Sequence, residues 1–148
     1  MYPRPQCPQA AASLSGSAAA PNLTGTVQFC QLAQGVLITA HVSGLPQANT
    51  GGFFALHIHE GSGCAGDGFP DTLSHYNPSG RPHPEHAGDL PPLLSNDGEA
   101  YLSVLTNRFS LPDILGRTVV IHDGPDDFHS QPAGNAGSKI ACGVIRPA

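Results

Sequence analysis

Eight histidines occur in this 148-residue chain, and six of them gather where chemistry is plausible: His57, His59, His75, His83, His86 and His122. His41 and His129 are the other two. His57 and His59 flank Ile58 in the run FFALHIHEGSGC, residues 53–64. Residues two apart in a strand point to the same face, so both imidazoles project together. Within an apolar strand such rings need hydrogen-bond partners, water or a metal. A lone histidine is ordinarily a surface or hydrogen-bonded side chain, but clustering changes that weighting. His75, His83, His86 and Asp89 lie within one fifteen-residue stretch. Three imidazoles and a carboxylate suit a tetrahedral zinc ion, and such an ion would hold a Pro/Gly-rich segment in a fixed shape. His57, His59 and His122 fall on strands able to lie side by side. Imidazole-rich sites with an open position suit copper and other redox-active metals. The plainer reading of His122 is that it caps its strand.

The elements that must position these residues are short strands. With 18 glycines and 15 prolines the chain disfavours long helices. A weak first strand is expected at 10–15, then clear strands at 24–30, 35–42, 53–60, 99–106, 117–122 and 139–145. Residues 24–30 and 35–42 read as a hairpin. The intervening segments 61–95 and 123–138 show neither strand nor helix periodicity, and structureless loops of that length usually carry function. No helical segment is evident. The expectation is an all-β, Greek-key β-barrel or sandwich with two long functional loops. It places a Pro-rich tail at residues 1–9 and a single domain at 10–148.

Composition excludes several partners. The formal net charge is -5, charged residues make up 11%, and no basic cluster occurs. Nucleic acid and anionic membranes are therefore poor partners. No apolar run approaches the roughly 20 residues that span a bilayer. The start, MYPRPQCPQAAASLSGSAAAP, lacks the apolar core of a secretory signal. The expectation is a cytoplasmic protein, or an extracytoplasmic one if Met1 begins an already trimmed chain. The four cysteines (Cys7, Cys30, Cys64, Cys142) match no zinc-finger spacing and allow three fully paired connectivities. Disulfides would favour an oxidising compartment.

Five motifs occur in order across residues 57–145: HIHE with a downstream Cys64, HYNP, HAGDL, GRTVVIHDGPDD and GNAGSKIACGVI. Together they resemble the copper–zinc superoxide dismutases, whose fold is an immunoglobulin-like Greek-key barrel. The resemblance implies a copper set of His57, His59, His75 and His122. It implies a zinc set of His75, His83, His86 and Asp89, with His75 shared as a bridging imidazolate. A bridging ring must be deprotonated at both nitrogens, which two flanking cations favour. Asp126 matches the carboxylate that links a copper histidine to a zinc histidine. Cys64 and Cys142 match the family's disulfide. Cys7 and Cys30 have no counterpart; Cys30 alternates with Thr26 and Gln28, is expected to face outward, and could capture Cys7. The implied activity is disproportionation of superoxide to oxygen and hydrogen peroxide, with His75 supplying a proton.

Two departures from the pattern carry expectations. Lys139 stands where the family usually has an arginine that docks superoxide. It keeps the charge but loses the planar fork of donors, so activity should survive at a reduced rate. Only two residues separate His83 from His86, where relatives commonly have a longer insert, and Pro82 and Pro84 would have to preset the turn. A dismutase-like copper-binding or copper-delivery protein is the rival reading. Such a protein is expected to have lost a copper ligand, whereas all four are present here. A homodimer and an exchange with a copper donor are further expected partnerships.

Overall fold

The computed structural model describes residues 6–47 and 50–148. Three strands open the chain as an antiparallel meander: β1 (Ala10–Gly16), β2 (Thr24–Leu32) and β3 (Gly35–Ser43). A short pair follows, β4 (Phe53–Phe54) and β5 (Leu56–His59), then β6 (Leu93–Leu94) and β7 (Ala100–Thr106). After the one-turn helix α1 (Leu111–Ile114) come β8 (Thr118–His122), β9 (Lys139–Val144) and β10 (Arg146–Pro147). The main sheet has the order β5-β8-β9-β1-β2-β3-β7, with β10 on β1. The chain therefore leaves β3, one strand in from an edge, crosses to β5 at the opposite edge, returns to β7 beside β3 and crosses again to β8 beside β5. Those crossovers are Greek-key connections, so the all-β expectation agrees with the architecture.

Alternation explains which faces are buried. Val27 and Phe29 on β2, Ile38 and Ala40 on β3, and Leu56 and Ile58 on β5 join one core with Val119 and Ile121 of β8. Full burial of a side chain such as Phe29 contributes about 1.5–3 kcal/mol. On β5 the other face is buried too, because His57 and His59 lie under the long loops rather than in the barrel core. The histidines are thus on the outside of the barrel but inside the protein.

Three details differ from the sequence reading. The strand expected at 53–60 is broken at Ala55, whose N–H donates to Gly124 and whose carbonyl accepts from His122. Phe53 and Phe54 pair instead with Leu94 and Leu93 in a separate two-stranded sheet. A one-turn helix does form, at Leu111–Ile114, capped by Ser110 and Asp113 in a reciprocal capping box. Cys30 is only 6% exposed, because it is bonded to Cys7 and residues 6–9 run along β2. Gln9 donates its N–H to Phe29 at 2.9 Å and accepts one from Ala148 at 3.0 Å. Residues 1–5 of the expected tail lie outside the described residues.

Candidate metal centre

The first long loop is laid back over β5 by strand-like pairing. His57 faces Asp89 and His59 faces His75 as isolated antiparallel bridges. Ile58 donates to Gly88, and Tyr76 donates to Ile58, so the main chain brings the strand and loop histidines together. Cys64 joined to Cys142 ties the same loop to β9. The sheet supplies the rest: β8 pairs with β5 along one edge and with β9 along the other, which sets His122 opposite Lys139.

Four histidines converge at one end. One donor atom from each of His57, His59, His75 and His122 lies within 4.8 Å of all the others. The outer nitrogens of three of them are anchored to groups that can only accept, and this fixes those tautomers. His59 Nδ1 donates to the Leu73 carbonyl at 2.9 Å, and His122 Nδ1 donates to the Gly137 carbonyl at 3.1 Å. His57 Nε2 donates to Asp126 at 2.8 Å. The inner nitrogens therefore carry lone pairs. His59 Nε2 and His122 Nε2 stand 3.3 Å apart, while the buried His57 Nδ1 and His75 Nε2 have no hydrogen-bond partner. Four lone pairs pointing at one another are unfavourable without a cation, and together they form an imidazole set suited to copper.

The second set sits on the other side of the His75 ring. His75 Nδ1 is 2.9 Å from Asp89 Oδ1 and 3.2 Å from His86 Nδ1. Asp89 Oδ2 lies 3.0 Å from His83 Nδ1 and 3.3 Å from His86 Nδ1. The His83 contact is close yet out of line for a hydrogen bond, as expected of two donors aimed at a common third point. His57, His75, His83 and Asp89 also fall within 4.8 Å of one another. His57 is there because its ring lies 3.9 Å from that of His75. Its Nε2 is already engaged by Asp126, so its single free nitrogen is the one facing His59 and His122. His86 falls outside that second group of four, but its Nδ1 stands beside both Asp89 and His75, and three imidazoles with one carboxylate are a zinc-type set.

Asp126 joins the two sets. Its Oδ2 accepts from His57 Nε2 at 2.8 Å and its Oδ1 from His83 Nε2 at 2.7 Å. The Phe128 N–H adds a third bond at 2.8 Å. Burial alone would raise its pKa, but these three donors hold it well below the usual carboxylate range. Asp89 is lowered in the same way: burial opposes, and the hydrogen bond from His75 prevails. Burial lowers two of the converging histidines instead, His59 to about 2 and His122 to about 3. Both rings are neutral over the physiological range, which is the metal-binding form.

An open cleft of about 470 Å³ leads to the first set, lined by His59, His75, His122, Leu73, Glu60 and Lys139 among others. Lys139 Nζ donates to Thr72 Oγ1 at 2.6 Å and to the Leu73 carbonyl at 3.1 Å. It therefore shares an acceptor with His59. Burial lowers its pKa.

Some functional groups were not singled out in the sequence. Leu73 and Gly137 act through main-chain carbonyls, which no side-chain pattern marks. Gly134, with φ +70, leaves room for the His83–Asp126 bond; a Cβ there would collide with His83 Nε2 and Asp126 Oδ1. Its signal was the glycine itself, just before the GNAGSKIACGVI motif's NAG.

A family model described as copper/zinc superoxide dismutase matches residues 23–145. Copper–zinc superoxide dismutase 2 of Aquifex aeolicus is 40% identical over 137 residues, spanning 82% of this chain and 78% of that protein. The copper–zinc superoxide dismutase of Deinococcus radiodurans is 34% identical over 145 residues, spanning 84% and 78%. The extracellular superoxide dismutase of Homo sapiens is 37% identical over 139 residues, which is 86% of this chain and 58% of that protein. Among solved structures, a double mutant of a SOD-like protein from Bacillus subtilis superposes with a TM-score of 0.78 at 25% identity, covering 92% of this chain and 96% of that one.

Proposed function

Since the chain belongs to the copper/zinc superoxide dismutase family, we propose that it disproportionates superoxide to oxygen and hydrogen peroxide, with His57, His59, His75 and His122 holding copper and His75, His83, His86 and Asp89 holding zinc. The single observation that carries this reading is the inward convergence of four lone pairs, two of them on buried nitrogens without partners. Copper bound there supplies one-electron redox chemistry, and zinc supplies charge and order without redox change. The protein's own groups do the rest. Leu73, Gly137 and Asp126 fix the ring tautomers of His59, His122, His57 and His83 so that each presents a lone pair. His75 lies between the two sets and is the group positioned to pass a proton to the product. Lys139 keeps one positive charge at the mouth of the cleft, where an anionic substrate must enter. The rival copper-delivery reading is not favoured, because the set of four histidines is complete.

The two disulfides suit an oxidising compartment, and we place the protein outside the cytoplasm. Among the described residues no helix is long and apolar enough to cross a membrane. We read residues 10–148 as one domain with residues 6–9 pinned to β2. A homodimer and delivery of copper by a donor protein remain proposals; sedimentation of the metal-loaded protein and copper uptake from a loaded donor test them. Metal analysis of the purified protein tests the site: one copper and one zinc per chain are expected. His75→Ala should release zinc and weaken copper together, and loss of only one metal contradicts the shared ligand.

A further inference from the structure

Two of the proposed zinc donors, His83 and His86, are separated only by Pro84 and Glu85, and this short piece of main chain is gripped from both sides. Gln131, in the second long loop, takes hold of His83. Its Oε1 accepts the His83 N–H at 2.8 Å and its Nε2 donates to the His83 carbonyl at 2.7 Å. A side-chain amide bonded to both main-chain groups of one residue imitates a strand partner. A further bond from Nε2 to the His129 carbonyl at 3.0 Å fixes the amide's own direction.

Arg108 grips the other end. Its Nη1 donates to the Pro84 carbonyl at 2.8 Å and to the His86 carbonyl at 3.1 Å. These are charge-assisted bonds, stronger than neutral ones. The His86 carbonyl also accepts the Asp89 N–H at 3.1 Å, and Asp89 Oδ2 accepts the His86 N–H at 2.9 Å. Arg108 thereby tightens the same turn that carries the carboxylate donor.

We propose that Gln131 and Arg108 are positioning residues for zinc: together they hold the His83–His86 main chain in its ligating shape. The inference rests on the zinc set proposed above. Neither residue lines the cleft over His59 and His122. The copper set needs no such device on His57, His59 and His122, because these lie on β5 and β8 and the sheet already positions them. A loop that is ordered before the ion arrives loses less conformational freedom when the ion binds. The two grips therefore act on zinc affinity rather than on copper affinity. They also account for how so short a spacing still brings His83 Nδ1 and His86 Nδ1 to the same carboxylate oxygen.

The test is zinc titration of the full-length, metal-free protein against a chelator of known affinity, with copper titrated separately. Arg108→Ala and Gln131→Ala should each weaken zinc about ten-fold, at the lower end of the range for groups that orient metal ligands. Arg108→Lys, which can still donate to both carbonyls, should keep most of the affinity. The double variant should lose less than the product of the two single losses, because both grips restrain one segment. Copper affinity should stay within about two-fold of wild type. Zinc affinity unchanged in both alanine variants, or zinc and copper weakening in parallel, would overturn the inference while leaving the zinc assignment intact. A wild-type chain that takes up no zinc would instead overturn the assignment itself.

Discussion

His57 and His83 are bridged through one carboxylate: their Nε2 atoms bind opposite oxygens of Asp126, at 2.8 and 2.7 Å. A proposed copper ligand and a proposed zinc ligand are thus oriented by the same side chain. Asp126→Asn offers one acceptor and one donor where both histidines need an acceptor. One ring must then turn over or present a proton to its metal. Zinc, held on a loop, should suffer more than copper, held on strands. We expect zinc affinity to fall about 10–100-fold, measured by chelator competition, with copper affinity falling less. Equal losses of both metals would contradict the strand-versus-loop argument.

The depressed histidines set the pH dependence of the metal-free protein. His59 and His122 protonate in the folded chain only near about 2 and about 3, against 6.5 for the ordinary side chain. Below 6.5 the unfolded chain therefore binds more protons than the folded one, and stability falls as pH falls. Above 6.5 both rings are neutral in both states, and this contribution is fully present. Asp126, lowered below its usual value, adds loss of the same sign at still lower pH. The expected cost at about pH 5 is on the order of 2 kcal/mol per buried histidine. Urea unfolding midpoints that stay level or rise between pH 7 and pH 5 would contradict this.

Lys139 is bound to Thr72 and Leu73 rather than free to swing. Residues 123–138 contain no lysine or arginine, and the chain carries a net charge of -5. Long-range attraction of an anion should be weak. Lys139→Met should lower kcat/KM roughly ten-fold through loss of the local charge. Lys139→Arg should raise it, because the planar fork presents paired donors. Added salt should slow the wild-type enzyme only slightly, and a steep fall in rate would show that steering extends beyond Lys139.

The Cys64–Cys142 bond closes a sequence separation of 78 residues. The chain-entropy estimate gives about 4–5 kcal/mol of stabilisation. Because this bond ties the metal loop to β9, its removal should both destabilise the fold and loosen His75. A Cys64→Ser, Cys142→Ser double variant should unfold at lower urea and bind zinc more weakly. Unchanged zinc affinity would mean that the contacts from β5 to Gly88 and Tyr76 hold the loop by themselves.

Much of the site was legible because it is written in side chains at fixed spacing. The period of two in LHIH placed His57 and His59 on one face, and the structure shows Ile58 on the other, in the core. The break at Ala55 was not legible, since residues 53–60 read as a continuous apolar strand. It arises from main-chain bonds to Gly124 and His122, partners more than sixty residues away. The turn of helix at 111–114 had a local signal, Ser110 followed by Asp113, which the apolar pattern around it concealed. Cys30 reads as outward by alternation, yet it is covered by its own disulfide partner. Arg108 and Gln131 left no trace in the sequence, because they act on carbonyls and an N–H that only the folded loops bring to them.

The central claim is tested most directly by the rate of superoxide loss, followed by fast spectroscopy on protein reconstituted with one copper and one zinc per chain. The account predicts catalysis far above spontaneous dismutation that persists over many turnovers, is abolished by His122→Ala, and is reduced by Lys139→Met with copper content unchanged. Full copper occupancy with superoxide decaying no faster than in buffer would contradict it and would leave a copper-holding protein in its place.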